Sequence, residues 1–248
     1  MMTDVSLLTV VTAIAVLSGA ALQSATGFGF GLVAAPLLFA ATSPEEAVGL
    51  MMILGLEINT LTLAGERRRP QPLRSEALAL VAWALPGMLV GVFVLRSLDA
   101  TTLQVIVTVG VLASLAVRRL RPAPGVPGRW AIPAAGLAGG VLNTATSTSG
   151  PPLVLYLLRR GAEPGQVRDT LTVIFLAFSV LGAAALAVTQ TTEAIPGLGW
   201  LAGLVPLVLL GHLVGRRGFE RLSGGRYELA LTLTLVAAAL AGLVTVVV

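Results

Sequence analysis

The stretch Leu17-Ser-Gly-Ala-Ala-Leu-Gln-Ser-Ala-Thr26 recurs 120 positions later as Leu137-Ala-Gly-Gly-Val-Leu-Asn-Thr-Ala-Thr146, and five of the ten positions are identical. The same offset, without a gap, matches several residues that are rarer than leucine or alanine: Pro44 with Pro164, Pro86 with Pro206, Gly91 with Gly211 and Arg96 with Arg216. Internal repeats of this kind are how many secondary transporters are built, with the ligand site where the halves meet. The repeat therefore predicts a transporter of two related halves.

The composition is that of a membrane protein. Hydrophobic residues make up 56% of the 248 residues and charged residues only 11%, whereas a soluble domain carries about 25% charged residues. The chain has no cysteine and a single histidine, His212, which excludes disulfides, thiolate sites and a histidine-rich metal site. Strand-like alternation is absent, so we expect an all-α polytopic protein, one membrane domain over residues 1–248 without a cofactor.

The basic residues indicate topology and not nucleic-acid binding. All sixteen are arginines, and nearly all lie in short gaps between apolar runs, which is typical of cytoplasmic loops. The apolar N-terminus has no basic start, so a cleaved signal peptide is not expected.

Each half contains five apolar stretches. They cover residues 5–24, 28–41, 47–64, 75–95 and 101–117 in the first half, and 131–146, 150–158, 170–189, 197–215 and 227–248 in the second. A membrane span needs about 20 apolar residues, so 28–41 and 150–158 are too short. We expect each half to have a re-entrant helix hairpin followed by three transmembrane helices, although the leading pair could instead cross twice.

Arginines in equivalent loops indicate that the halves are inverted. The loop 65–74 contains four arginines and its counterpart 190–196 none, while 96–100 contains one and its counterpart 216–226 four. Because positive residues mark the cytoplasmic side, equivalent loops are predicted on opposite faces. The N-terminal repeat is predicted over 1–117, a cytoplasmic linker over 118–130 and the C-terminal repeat over 131–248, with both termini extracytoplasmic.

The two hairpin turns predict an anion site. Both are rich in glycine, hydroxyl and amide groups, and broken helix at membrane depth is tolerated only when it is buried in protein or lines a wet cavity. The first N–H groups of each second helix and its dipole would bind an anion without a fixed positive charge. The predicted substrate-binding residues are Gln23, Ser24, Thr26, Gly27, Phe28, Gly29, Asn143, Thr144, Ser147, Thr148, Ser149 and Gly150. Small and hydroxyl residues often serve only helix packing, but two matching turns favour a site.

Four charged or titratable residues allow further hypotheses. Glu57 is the one acidic residue well inside an apolar span, so it is a proton carrier, is paired with an arginine such as Arg67, or simply faces the other half. His212 lies near the cytoplasmic end of its span and could snorkel to the interface. Arg168 and Asp169 are interpreted as an ordinary pair of charges at the start of a helix.

Both turns resemble a known signature. The two stretches are Gln23-Ser-Ala-Thr-Gly-Phe-Gly-Phe-Gly-Leu-Val-Ala-Ala-Pro36 and Thr148-Ser-Gly-Pro-Pro-Leu-Val-Leu-Tyr-Leu-Leu158. They are similar to the paired motifs of the sulfite exporter TauE/SafE family, whose members are 4-toluene sulfonate uptake permease-like anion transporters. The resemblance implies a permease of the bacterial inner membrane that moves sulfite, sulfoacetate or related sulfonates. It also implies coupling to an ion gradient, with the proton as the expected ion. A homodimer is a possible oligomeric state.

The sequence indicates the family more clearly than it indicates the substrate. Phe28 and Phe30 interrupt the first glycine run, and serine and threonine fill the second turn. A passive anion channel and a carrier of carboxylates without sulfur remain as alternatives. A membrane enzyme would need more catalytic groups than the spans contain, and the chain has no GxxxxGK[ST] loop for nucleotide-driven transport.

Overall fold

The computed structural model describes residues 2–65, 69–120, 128–189 and 191–221, together with Val236. Over these residues the chain is helical and contains no strand. The helices are α1 (Met2–Thr26), α2 (Phe30–Ala41), α3 (Pro44–Ala64), α4 (Arg74–Ser97), α5 (Ala100–Leu120), α6 (Ala131–Thr146), α7 (Gly150–Arg159), α8 (Pro164–Val188) and α9 (Leu198–Arg221), with a 3₁₀ turn at Thr192–Ala194 between α8 and α9. The predicted stretch 227–248 lies outside the described residues, apart from Val236, and so does most of the proline-rich linker.

The all-helical polytopic architecture is confirmed. Among the described residues, five helices are long and apolar enough to cross a membrane: Leu7–Thr26, Pro44–Ala64, Arg74–Ser97, Gly165–Val188 and Leu198–Arg217. The 12 residues of α2 and the 10 of α7 extend only about 18 and 15 Å, well short of the roughly 30 Å hydrocarbon core. Within the two leading pairs, only α1 contains a candidate span, because α6 has 16 residues and α2 and α7 are shorter still.

Helix starts at repeat-related positions are fixed by local signals. Pro44 occupies the first turn of α3, and the Ser43 hydroxyl accepts a hydrogen bond from the Glu46 N–H at 3.2 Å. At the matching position Pro164 begins α8, and the Glu163 N–H donates to Gln166 Oε1 at 3.3 Å. Proline suits a helix start because the N–H that it lacks would have no intrahelical partner.

The most closely packed helix pairs are repeat-related as well. Gly91 of α4 packs directly against the backbone of Val141 in α6, and Gly211 of α9 packs against the backbone of Leu17 in α1. Further along α9, Gly215 packs against Ala21, so α9 and α1 run in the same direction. Glycine permits this approach because it has no Cβ between the two backbones. Under the 120-residue offset α1 corresponds to α6 and α4 corresponds to α9, so the contacts α1–α9 and α4–α6 are equivalent.

Helices α3 and α8, which also correspond under the offset, pack against each other in opposite directions. Gly49, near the start of α3, packs against the carbonyl of Ala194, just beyond the end of α8. Later in α3, a Cβ on Gly55 would lie 2.9 Å from Ser179 Oγ. This pair forms the centre of the molecule, and the hairpins α1–α2 and α6–α7 meet beside it.

Candidate functional site

The turns of the two hairpins lie against each other inside the protein. We call residues 27–29 the first tip and residues 147–149 the second tip. Gly31, just after the first tip, packs directly on the Ser147 carbonyl, and a Cβ on Gly150 would lie 3.6 Å from the Phe28 ring. Between the tips lies a cavity of about 50 Å³, the tip cavity. Seven of the predicted site residues line it: Gln23, Gly29, Asn143, Ser147, Thr148, Ser149 and Gly150.

The walls of the tip cavity are built from repeat-related positions. Five pairs separated by the 120-residue offset line it together: Gln23 with Asn143, Gly29 with Ser149, Phe30 with Gly150, Gly55 with Phe175, and Asn59 with Ser179. The cavity therefore lies where the two halves meet, which is where transporters built from repeats place their ligands.

Gln23 joins three helices at one side of the tip cavity. Its Nε2 donates to Asn59 Oδ1 at 2.8 Å, and its Oε1 accepts from the Phe30 N–H at 3.1 Å. Asn59 in turn donates to the Gly55 carbonyl of its own helix at 2.7 Å. Since a glutamine amide has two N–H donors, this network fixes α1, α2 and α3 while leaving donor capacity at the cavity.

Asn143, the repeat equivalent of Gln23, has different partners. Its Nδ2 donates to the Phe178 carbonyl at 3.1 Å and lies 3.9 Å from Met52 Sδ. The amide thus connects α6 to α8 and reaches α3 only through a sulfur contact, which is a weak hydrogen bond.

The first tip presents backbone amides. Gly27 and Gly29 have φ of 82° and 113°, a left-handed conformation that favours glycine. Helix α2 begins immediately afterwards, so the N–H groups of Gly31 and Leu32 have no intrahelical acceptor. Both residues line the tip cavity, and amides at a helix N-terminus suit an anion.

The second tip consists of hydroxyl residues instead. Pro151 and Pro152 occupy the first turn of α7 and have no N–H, so few backbone donors remain there. The prediction that the first N–H groups of both second helices bind the anion therefore applies to fewer groups in α7, where Gly150 still has an N–H. Three consecutive hydroxyl residues line the cavity in their place: Ser147, Thr148 and Ser149.

Five predicted site residues do not line the tip cavity: Ser24, Thr26, Gly27, Phe28 and Thr144. Three of them use their hydroxyls to hold the hairpins. Thr26 Oγ1 donates to the Phe28 carbonyl at 2.6 Å, Thr144 Oγ1 donates to the Met88 carbonyl at 2.7 Å, and Ser24 Oγ lies 2.9 Å from His212 Nδ1. In this structure their contacts are those of positioning residues.

Two further interpretations, for His212 and for the pair Arg168 and Asp169, are corrected by the contacts of these residues. His212 is 5% exposed and bonded to Ser24, so it does not snorkel to the interface. Asp169 is 2% exposed, and its carboxylate accepts from the Gln71 N–H at 2.7 Å. Arg168 donates to the Ser24 carbonyl at 2.7 Å and packs over Gly27. Arg168 and Asp169 thus bond to Ser24 and Gln71 in other parts of the chain, and they are not an ordinary pair of charges at a helix start.

Glu57 lies outside the tip cavity, on the middle of α3. Its Oε2 is buried, and it has no hydrogen-bond partner among the residues that the structure describes. Arg67, its suggested partner, falls outside that part of the chain. The proton-carrier hypothesis therefore stays a prediction.

Sequence reasoning did not include nine of the residues that line the cavity: Phe30, Gly31, Leu32, Met51, Met52, Gly55, Asn59, Phe175 and Ser179. A signal existed for two of them, because Asn59 and Ser179 are polar residues inside apolar spans and are related by the repeat offset. The remaining ones in α3 and α8 are apolar residues or glycine in apolar helices, so nothing in the sequence separates them from ordinary packing positions.

Comparison with known proteins identifies the family. The profile of the family described as Sulfite exporter TauE/SafE matches residues 11–242. The chain belongs to this family. A TauE/SafE relative from Cupriavidus necator, named a probable sulfite/organosulfonate exporter TauE, is 28% identical over 206 residues, covering 81% of this chain and 80% of the relative. No solved structure matches significantly. Together with the apolar helices, membership identifies a multi-pass transport protein of the bacterial inner membrane.

Proposed function

We propose that the protein is a secondary active transporter of small sulfur-containing anions, such as sulfite, sulfoacetate or another sulfonate, driven by an ion gradient. The observation that carries the proposal is the tip cavity, where neutral donors from both halves converge. A sulfonate has three oxygens and a single charge, which suits several N–H and O–H donors. Neutral donors also permit release, because they bind an anion less strongly than an arginine pair would.

The anion is proposed to lie between the amides of Gly31 and Leu32 and the hydroxyls of the second tip. The tip cavity has a volume of about 50 Å³, which suits a small oxyanion head, since about 10–15 Å³ of such space holds one water. Gln23 and Asn143 add amide donors from opposite sides. Phe30 and Phe175 line the same cavity and limit its size.

Alternating access between inverted halves is the proposed mechanism. It is supported by the directions of the helices: α1 runs alongside α9, and α3 runs opposite to α8. With the arginine-rich loops on the cytoplasmic side, hairpin α1–α2 would enter from outside and hairpin α6–α7 from inside. Rocking of one half against the other would then expose the tip cavity to each side in turn.

The test is the thermal stability of detergent-purified protein with sulfite, sulfate, sulfoacetate, isethionate, taurine, acetate and chloride. A ligand that binds only the folded state raises the melting temperature with concentration. Selective stabilisation by sulfite or sulfonates that Ser149→Ala removes would support the proposal. Stabilisation by acetate instead would favour a carboxylate carrier, and a flat response from folded protein would contradict an anion site. Conductance of reconstituted bilayers without coupling would favour a passive channel.

Glu57 is proposed to carry the coupling proton, and its removal should uncouple transport from pH. We expect Glu57→Gln to abolish proton-driven sulfite uptake into proteoliposomes, while sulfite still stabilises the purified protein, because the carboxyl lies outside the tip cavity. Glu45→Gln is the matched control, since it makes the same change at the first turn of the same helix. Undiminished transport with an unchanged pH profile in Glu57→Gln would end the idea.

A further inference from the structure

A second and larger cavity lies beside the tip cavity. It encloses about 450 Å³ between α3, the end of α8 and the 3₁₀ turn, and we call it the side cavity. Its wall is almost entirely carbon, with Ile53, Ala183 and Ala187 among its residues and threonine side chains only at positions 191 and 192. Its volume falls within the range of about 300–1,000 Å³ typical of small-molecule sites, whereas the tip cavity is far below that range.

One side chain borders both cavities. Met52 lines both of them and is 3% exposed. Its sulfur lies 3.9 Å from Asn143 Nδ2 on the polar side. Gly182 gives it room, because a Cβ there would lie 2.8 Å from the same sulfur. Methionine is unbranched and has three rotatable side-chain bonds, so this side chain adapts its shape more readily than a branched residue would.

We propose that the side cavity binds the hydrocarbon part of an organic sulfonate whose charged head occupies the tip cavity, with Met52 as the residue that divides head from tail. The inference rests on the proposed function, because it takes the tip cavity to be the anion site. The two compartments match the two ends of such a molecule, since polar donors surround the head and carbon atoms surround the tail. An inorganic anion such as sulfite would occupy the tip cavity alone.

A membrane lipid is the competing occupant of the side cavity. Ile53 is 38% exposed, and Ala183 and Ala187 are exposed as well, so the side cavity opens at the protein surface. The contact with the tip cavity through Met52 favours the substrate, because a chain anchored at an anion between the tips meets the side cavity at this residue. A lipid chain would show no dependence on the anion site.

The experiment measures the affinity of purified protein for methane-, propane- and pentanesulfonate by calorimetry. Each methylene that enters the side cavity should tighten binding by up to about fourfold. Ala183→Phe should fill the cavity and remove this gain while leaving methanesulfonate unchanged. Ala184→Phe is the matched control, because Ala184 is exposed and lies outside the side cavity lining. Ala187→Leu narrows the same space from the next turn and serves if the larger substitution impairs folding.

The outcomes separate this inference from the proposed function. Binding of methanesulfonate without a gain for the longer chains would overturn the tail site and leave the anion site standing. An equal gain in wild type and all three variants would show partition into detergent or lipid and would overturn it as well. Failure of both sulfite and methanesulfonate to bind folded protein would instead contradict the proposed function itself.

Discussion

The two tips occupy equivalent places in the repeat but offer an anion different chemistry. Gly27 and Ser147 are related by the offset, and both are left-handed, with φ of 82° and 55°. Two positions later the tips diverge, since Gly29 has φ of 113° and Ser149 has φ of −66°. The first tip then presents backbone amides, and the second presents hydroxyls ahead of two prolines. Repetition has thus preserved where the chain turns while changing which atoms face the cavity.

The largest expected loss of stability comes from disturbing the close contact between the two tips. Gly31→Ala would place a Cβ on the Ser147 carbonyl, so we expect a loss of about 1–3 kcal/mol of stability together with loss of stabilisation by sulfite. Gly150→Ala is the control at the other tip, where the added Cβ would meet Phe28 at an ordinary 3.6 Å. Melting temperatures with and without sulfite compare the two. Similar stability in both variants would show that the tips are not in close contact.

The second comparison is between the side-chain amides of Gln23 and Asn143. Gln23→Leu should lower the stability of the folded protein more than Asn143→Leu does. Loss of Gln23 leaves the Phe30 N–H and Asn59 Oδ1 without their partner, which costs about 1–3 kcal/mol for a buried polar group. Loss of Asn143 leaves only the Phe178 carbonyl, which already accepts a bond within α8. Thermal unfolding of both variants measures the difference. A larger loss for Asn143→Leu would contradict the unequal roles.

The sequence predicted the helices and the two tips well, because both depend on local signals. The predicted stretches 28–41 and 150–158 correspond to α2 (Phe30–Ala41) and α7 (Gly150–Arg159), since apolar runs, prolines and glycines determine where a membrane helix begins and ends. The offset also indicated that the tips belong together. These features required no knowledge of the helices that pack around them.

Side-chain direction could not be predicted in the same way. Thr144 and Ser147 are three residues apart in one polar run, yet Thr144 bonds to Met88 in α4 and Ser147 faces the tip cavity. Which of them faces the cavity depends on where α4 packs, and a single sequence does not contain that information. The burial of His212 beside Ser24 was missed for the same reason, because it depends on the close packing of α9 against α1.

The smallest expected change in stability concerns Ser147, and it would distinguish strain from function at the second tip. A residue other than glycine in the left-handed region costs roughly 1–2 kcal/mol, which a glycine would avoid. Glycine also gives the unfolded chain more conformational freedom, and this lowers the stability of the folded protein by about 0.4–1 kcal/mol. Ser147→Gly should therefore raise stability by at most about 1.6 kcal/mol. If its hydroxyl donates to the anion, affinity for sulfite should fall about tenfold.

Ser147→Ala separates the two effects, because it removes the hydroxyl but keeps the Cβ that makes the conformation unfavourable. Calorimetry should show both variants binding sulfite equally weakly, while thermal unfolding should show only Ser147→Gly to be more stable than wild type. Equal stability of the two would mean that the φ of 55° is not strained. Unchanged affinity in both would remove this hydroxyl from the donors. Opposite shifts in stability and affinity would mean that a strained serine is kept where the first half uses glycine because its hydroxyl serves the ligand.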